Sequence, residues 1–153
     1  MSNKDWTDES LAKACRYWQE KLGLSHWRIA VRFARLSEMK GEGDDREFYQ
    51  GSNKFDIRVE CALIKICDPQ DYPIDTPFEQ DVEVTLVHEL LHISVDYFAR
   101  PDTTFIEHSL MEAFIDRMAW LLVELDRASL KSSEEAEEPV NMCDGDDLFP
   151  YGS

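Results

Sequence analysis

What this chain has little of is positive charge. Sixteen lysines and arginines stand against 32 aspartates and glutamates, a net charge of −16 at pH 7 over 153 residues. A surface of that sign repels phosphate backbones and anionic membranes, and no local basic patch offsets it, so neither nucleic acid nor membrane is an expected partner. Long hydrophobic runs are missing too. No stretch approaches the roughly 20 apolar residues that a membrane-spanning helix needs. The opening residues, Met1-Ser2-Asn3-Lys4-Asp5-Trp6, lack the apolar core of a secretion signal. Cysteine is sparse, and Cys15, Cys61, Cys67 and Cys143 never fall into C-x-x-C spacing. Without a secretion signal they read as reduced thiols, and the expected compartment is the cytoplasm. Histidine is scarce as well. The chain has four, and two of them lie together.

Those two are His88 and His92, in Val87-His88-Glu89-Leu90-Leu91-His92. On a helix, residues i and i+4 share a face, so the two imidazoles point the same way and can grip one metal ion. Glu89 stands beside them, placed to take a proton from a metal-activated water rather than to bind the metal. Thr76-Pro77-Phe78-Glu79 has the form of a capping box with proline at the first helical position, which predicts a helix from near Pro77. Pro101 disfavours helical geometry at Arg100, so that helix is expected to end near Phe98. A second capping box, Thr104-Phe105-Ile106-Glu107, predicts a helix to about Leu125.

A zinc site also needs a third protein ligand and an open fourth position. On the second helix Glu112 is the first candidate, and Asp116, one turn on, could orient a ligating histidine through its other ring nitrogen. His108, one turn before Glu112, and Glu107 are rivals, although Glu107 already has work in the capping box.

The pair His88-Glu89-Leu90-Leu91-His92 and Glu112-Ala113-Phe114-Ile115-Asp116 resembles the gluzincin zinc metallopeptidases. In size the chain is similar to the minimal zincins of bacteria and phages, such as the SprT-like and ImmA/IrrE-like groups. The resemblance covers residues 76–125 and is only architectural before them. It implies zinc bound by His88, His92 and Glu112, Glu89 as general base, and Asp116 supporting a ligand. It also implies a peptide or protein substrate laid along a sheet edge. The metzincin extension is absent, since Val95 stands where that branch has glycine and no histidine stands at the third-ligand position after it.

The remainder reads as scaffold. Leu11, Cys15, Trp18 and Leu22 recur at helical spacing over residues 7–22, with Gly23 as the stop. Trp27, Ile29, Val31 and Phe33 alternate with Arg28, Ala30, Arg32 and Ala34 in a strand over 26–36. Residues 37–45 form an acidic loop. A short strand is expected at 47–50, a turn at Gly51-Ser52-Asn53, and a third strand over Phe55–Cys61 with Cys61 inward. The expected fold is α+β and zincin-like. An N-terminal helix and a small, mainly antiparallel sheet pack on two C-terminal metal-binding helices. Residues 1–130 form that domain, and 131–153 an acidic tail, solvated or docked on the surface. The function expected is zinc-dependent peptide hydrolysis. The alternative is a zincin-fold module that keeps its metal and acts by binding a partner.

Overall fold

The computed structural model describes residues 5–39, 49–95 and 104–137, with side chains to 134. Its elements, in chain order, are α1 (Asp8–Lys21), β1 (Arg28–Ala34), β2 (Gly51–Asp56), β3 (Cys61–Cys67), α2 (Val82–Val95) and α3 (Phe105–Glu137), with one 3-10 turn at Leu36–Glu38. This is an α+β arrangement of three helices on a three-stranded sheet.

Helix α1 forms as its pattern dictates. Thr7 caps it, accepting a hydrogen bond from the Ser10 amide, and Leu11, Cys15 and Trp18 are buried along one face. After the last turn Gly23 adopts φ of +71°, a left-handed conformation that glycine enters without a Cβ penalty.

The sheet differs from expectation. Its order is β1-β3-β2, and it is mixed: β1 runs parallel to β3 (Arg28 opposite Cys61, Ala34 opposite Cys67), and β2 runs antiparallel to β3 (Gly51 opposite Ile66, Asp56 opposite Cys61). The reason is β3, whose Ala62, Ile64 and Ile66 are buried and take the centre. The apolar alternation Phe55, Ile57, Val59, Cys61 is not one strand. It joins the end of β2 to the start of β3 across a turn at 57–60, where Ile57 and Val59 are exposed and Glu60 has φ of +50°. Cys61 is therefore half-buried, not inward, with its thiol 3.4 Å from the Val59 carbonyl. The expected turn Gly51-Ser52-Asn53 is instead the first half of β2, and Tyr49-Gln50 precede the strand. Residues 47 and 48 lie outside the described residues, as does most of the acidic loop.

Helix α2 starts at Val82, five residues later than Pro77. Buried Gln80 donates from Nε2 to the Cys67 carbonyl (2.7 Å), tying the incoming chain to the end of β3, and Asp81 supplies the cap by accepting from the Val84 amide (3.1 Å). The Thr76 hydroxyl meets the carbonyls of Pro73 and Phe78 instead. Once begun, α2 is buried around much of its circumference, with Val82, Leu86, Val87, Leu90 and Ile93 in the main core beside Ile64, Ile66, Ala119 and Val123. It is described to Val95, so the expected end at Phe98 lies outside the described residues.

Helix α3 begins as its capping box predicts. The Thr104 amide donates to Glu107 Oε2 (2.7 Å), and the Glu107 amide donates to Thr104 Oγ1 (3.3 Å). It then continues to Glu137, well past Leu125, so the boundary placed at residue 130 falls inside a helix. Neither glycine nor proline occurs from Phe105 to Glu137 to stop it. The rest of the acidic tail lies outside the described residues. No helix among the described residues is long and apolar enough to cross a membrane.

Candidate metal centre

The site is built where α2, α3 and β2 meet. His88 and His92, one turn apart on α2, bring their Nε2 atoms within 3.0 Å of each other. Glu112 reaches over from α3, its Oε2 standing 3.4 Å from His88 Nε2 and its Oε1 3.4 Å from His92 Nε2. Two imidazole nitrogens and one carboxylate thus converge from two helices, and this is the metal-competent group among the described residues. Ligand atoms about 2.0–2.1 Å from a tetrahedral zinc stand about 3.3–3.4 Å from one another. The 3.0 Å between the imidazole nitrogens is shorter than that, and the 3.4 Å contacts go to the two different oxygens of Glu112. One donor atom from each residue nevertheless falls within 4.8 Å of the others, and two imidazoles with one carboxylate are a donor set that fits such an ion with a fourth position left open.

Asp116 sits behind His88. Its Oδ1 is 2.8 Å from His88 Nδ1, and because a carboxylate only accepts, Nδ1 is the nitrogen that carries hydrogen. That leaves Nε2 as the ring nitrogen on the side of Glu112, where a metal would be bound. Of the rivals, His108 is largely exposed and lies 3.9 Å from Glu112 Oε1, outside the converging group. Glu107 is held at the helix cap by Thr104, which draws its carboxyl below the usual carboxylate range.

Glu89, next in sequence to His88, is 6% exposed and lines the same cleft. Burial first, and then the negative charge of Glu112, push its carboxyl up to about 8. A dication bound among His88, His92 and Glu112 would oppose the second cause directly, since it offsets the Glu112 charge.

A cleft of about 430 Å³ opens on this group, with His88, Glu89, His92, His108 and Glu112 on one side and Tyr49, Gly51, Ser52, Asn53 and Phe55 on the other. The second wall is β2, the edge strand on this side of the sheet. Sequence reasoning assigned none of these β2 residues to the site, because Gly-Ser-Asn reads locally as a turn. A larger groove of about 1340 Å³ runs between α1, the chain before α2 and the second half of α3. Two of its acidic side chains, Asp81 and Glu83, are engaged by Arg127, and no imidazole lines it, so the candidate metal group lies in the smaller cleft. No family model, curated protein or solved structure matches this chain.

Proposed function

We propose that the protein is a zinc-dependent metallopeptidase with a minimal, gluzincin-like zincin fold. The observation that carries this reading is the convergence of His88 Nε2, His92 Nε2 and the Glu112 carboxylate, with contacts of 3.0 to 3.4 Å and with Glu89 buried alongside. A metal-binding module would have no need of a carboxyl held at such a place.

In this reading His88, His92 and Glu112 hold the ion, and Asp116 fixes the tautomer and ring orientation of His88. Zinc held by these residues would supply Lewis acidity toward a carbonyl and lower the pKa of water to about 7. Glu89 takes the proton from the attacking water and passes it to the leaving amine. The edge of β2, the outer strand among the described residues, receives the substrate as an added strand, a mode that relies on main-chain hydrogen bonds and tolerates varied sequences. The substrate is then a peptide or an unfolded segment of a protein, and the acidic surface selects against nucleic acid. Cys15 and Cys67 are buried free thiols, each pushed up to about 11 by burial, which supports a cytoplasmic setting.

The test is zinc stoichiometry by elemental analysis after dialysis against metal-free buffer, followed by cleavage of a broad peptide library by wild type and Glu89→Gln. About one zinc per chain, with cleavage lost in the variant, supports the reading. Zinc retained with no cleavage of any peptide moves the protein to the non-catalytic, partner-binding class.

A further inference from the structure

Two residues of β2 have no part in the function as stated, yet both touch the general base. Gly51 is the first. It lies inside a strand, where glycine weakens the ladder and packs nothing, and it does not have positive φ, so conformational freedom is not why it is there. Space is. A Cβ at this position would run into Glu89 Oε1 and would lie 2.9 Å from both Glu89 Cγ and Thr85 Cγ2. Asn53 is the second, two residues on and therefore on the same face of the strand. Its Nδ2 donates to the backbone carbonyl of Glu89 at 2.7 Å, while its Oδ1 is buried without a hydrogen-bond partner. A buried carbonyl left in that state costs free energy that an apolar side chain would not. What the asparagine contributes in return is its single donated bond to Glu89.

We propose that Gly51 and Asn53 form a seat on β2 that fixes Glu89 against the metal-binding face of α2. The glycine leaves the volume that the carboxyl occupies, and the asparagine holds the peptide group of the same residue. Both are positioning residues, and the role of the seat in catalysis rests on the reading of Glu89 as general base. Because β2 also forms the cleft wall, one strand sets both the substrate path and the base that acts on it. A displacement of about 1 Å in such a group can cost about 100-fold in rate.

The first experiment reads stability and needs no activity. All variants are built on Thr85→Ser, which removes Cγ2 and keeps the hydroxyl that donates to the Asp81 carbonyl. Gly51→Ala should lower Tm by at least about 3 °C when Glu89 is present, and by much less when Glu89→Ala is combined with it. If Gly51→Ala alone does not fold, recovery of folding on adding Glu89→Ala is the same result. An equal loss in both backgrounds, or failure to fold in both, overturns the seat. The second experiment uses the zinc-loaded full chain and the peptide library, with Gly51→Ala and Asn53→Asp, the latter keeping shape while losing the donor. Expected are a kcat lower by about 100-fold, an unchanged KM and about one zinc per chain. Unchanged kcat in an active enzyme overturns the positioning role. A coupled stability cycle in a protein whose wild type cleaves nothing would leave the seat standing and sink the general-base reading instead.

Discussion

His88 Nδ1 and Asp116 Oδ1 are 2.8 Å apart, and this contact between α2 and α3 decides which ring nitrogen of His88 faces the cleft. Asp116 is mostly exposed, so removing it leaves no cavity and strands no buried group. Asp116→Ala should therefore change folding stability by less than about 0.5 kcal/mol, while zinc affinity falls about 10–100-fold as the ring loses its orientation. Competition with a chromophoric chelator, set beside urea unfolding of the metal-free protein, checks both halves. Unchanged affinity would mean that Asp116 is a bystander to the metal.

Glu112 and His108 share a face of α3, and the geometry separates them. Glu112 lies 3.4 Å from both histidines of α2, whereas His108 approaches only Glu112. Glu112→Ala removes one of three protein ligands and should abolish zinc retention through dialysis. His108→Ala should retain about one zinc per chain, because that imidazole stands outside the converging group. The reverse pattern in elemental analysis would exchange their roles.

The parts of this fold that were legible in the sequence are those set by neighbours in the chain. Leu11, Cys15 and Trp18 define α1 by spacing alone, and Thr104 with Glu107 fixes the start of α3 through bonds spanning three residues. The start of α2 depends instead on Gln80 reaching Cys67 and on Arg127 reaching Asp81, contacts 13 and 46 residues apart that no local rule registers. Among the strands, periodicity misled for a simple reason. The turn at 57–60 has an even number of residues, so the inward positions change parity across it, from Phe55 to Ala62, Ile64 and Ile66, while the apolar Ile57, Val59 and Cys61 carry the odd-numbered alternation on as though no turn intervened. The proximity of His88, His92 and Glu112 could be anticipated because i,i+4 geometry and a facing acidic helix are both helical regularities. The β2 wall could not, since only the fold brings Gly51 so close to Glu89 that a Cβ there would meet its side chain.

Arg127 provides a tie between helices that stability measurements can isolate. It donates to both oxygens of Asp81 (2.9 and 3.1 Å) and to Glu83 Oε2 (2.9 Å), while Trp18 Nε1 donates to Glu83 Oε1 (3.0 Å). One carboxylate thus joins all three helices. Arg127→Ala leaves two partly buried carboxylates without their cation and should cost about 1–3 kcal/mol. Asp81→Ala also removes the cap of α2 and should cost at least the 0.5–2 kcal/mol usual for a cap, whereas Thr76→Ala should be close to neutral. Urea denaturation of the three variants checks the order. A loss at Thr76 as large as that at Asp81 would return the helix start to Pro77.

The buried Glu89 carboxyl gives the metal-free protein a pH dependence whose sign can be worked out. Its pKa is raised from an ordinary 4.5 to about 8, by burial first and by Glu112 second. The folded chain therefore holds a proton that the unfolded chain has released. Its stabilising contribution is complete below about pH 4.5, declines as pH rises, and is gone above about 8. Glu89→Gln stays neutral throughout and lacks this decline. In chelator-treated protein the variant should gain on wild type steadily between pH 5 and 8, by a few kcal/mol in total, and the difference should then level off. Zinc should shrink it, because a cation beside Glu112 removes one cause of the shift. Chemical denaturation at pH 5, 6.5, 8 and 9, with and without zinc, measures the curve. A difference that stays constant across pH would mean that Glu89 is not protonated in its buried seat, and that the metal-free carboxyl already finds enough water to ionise normally.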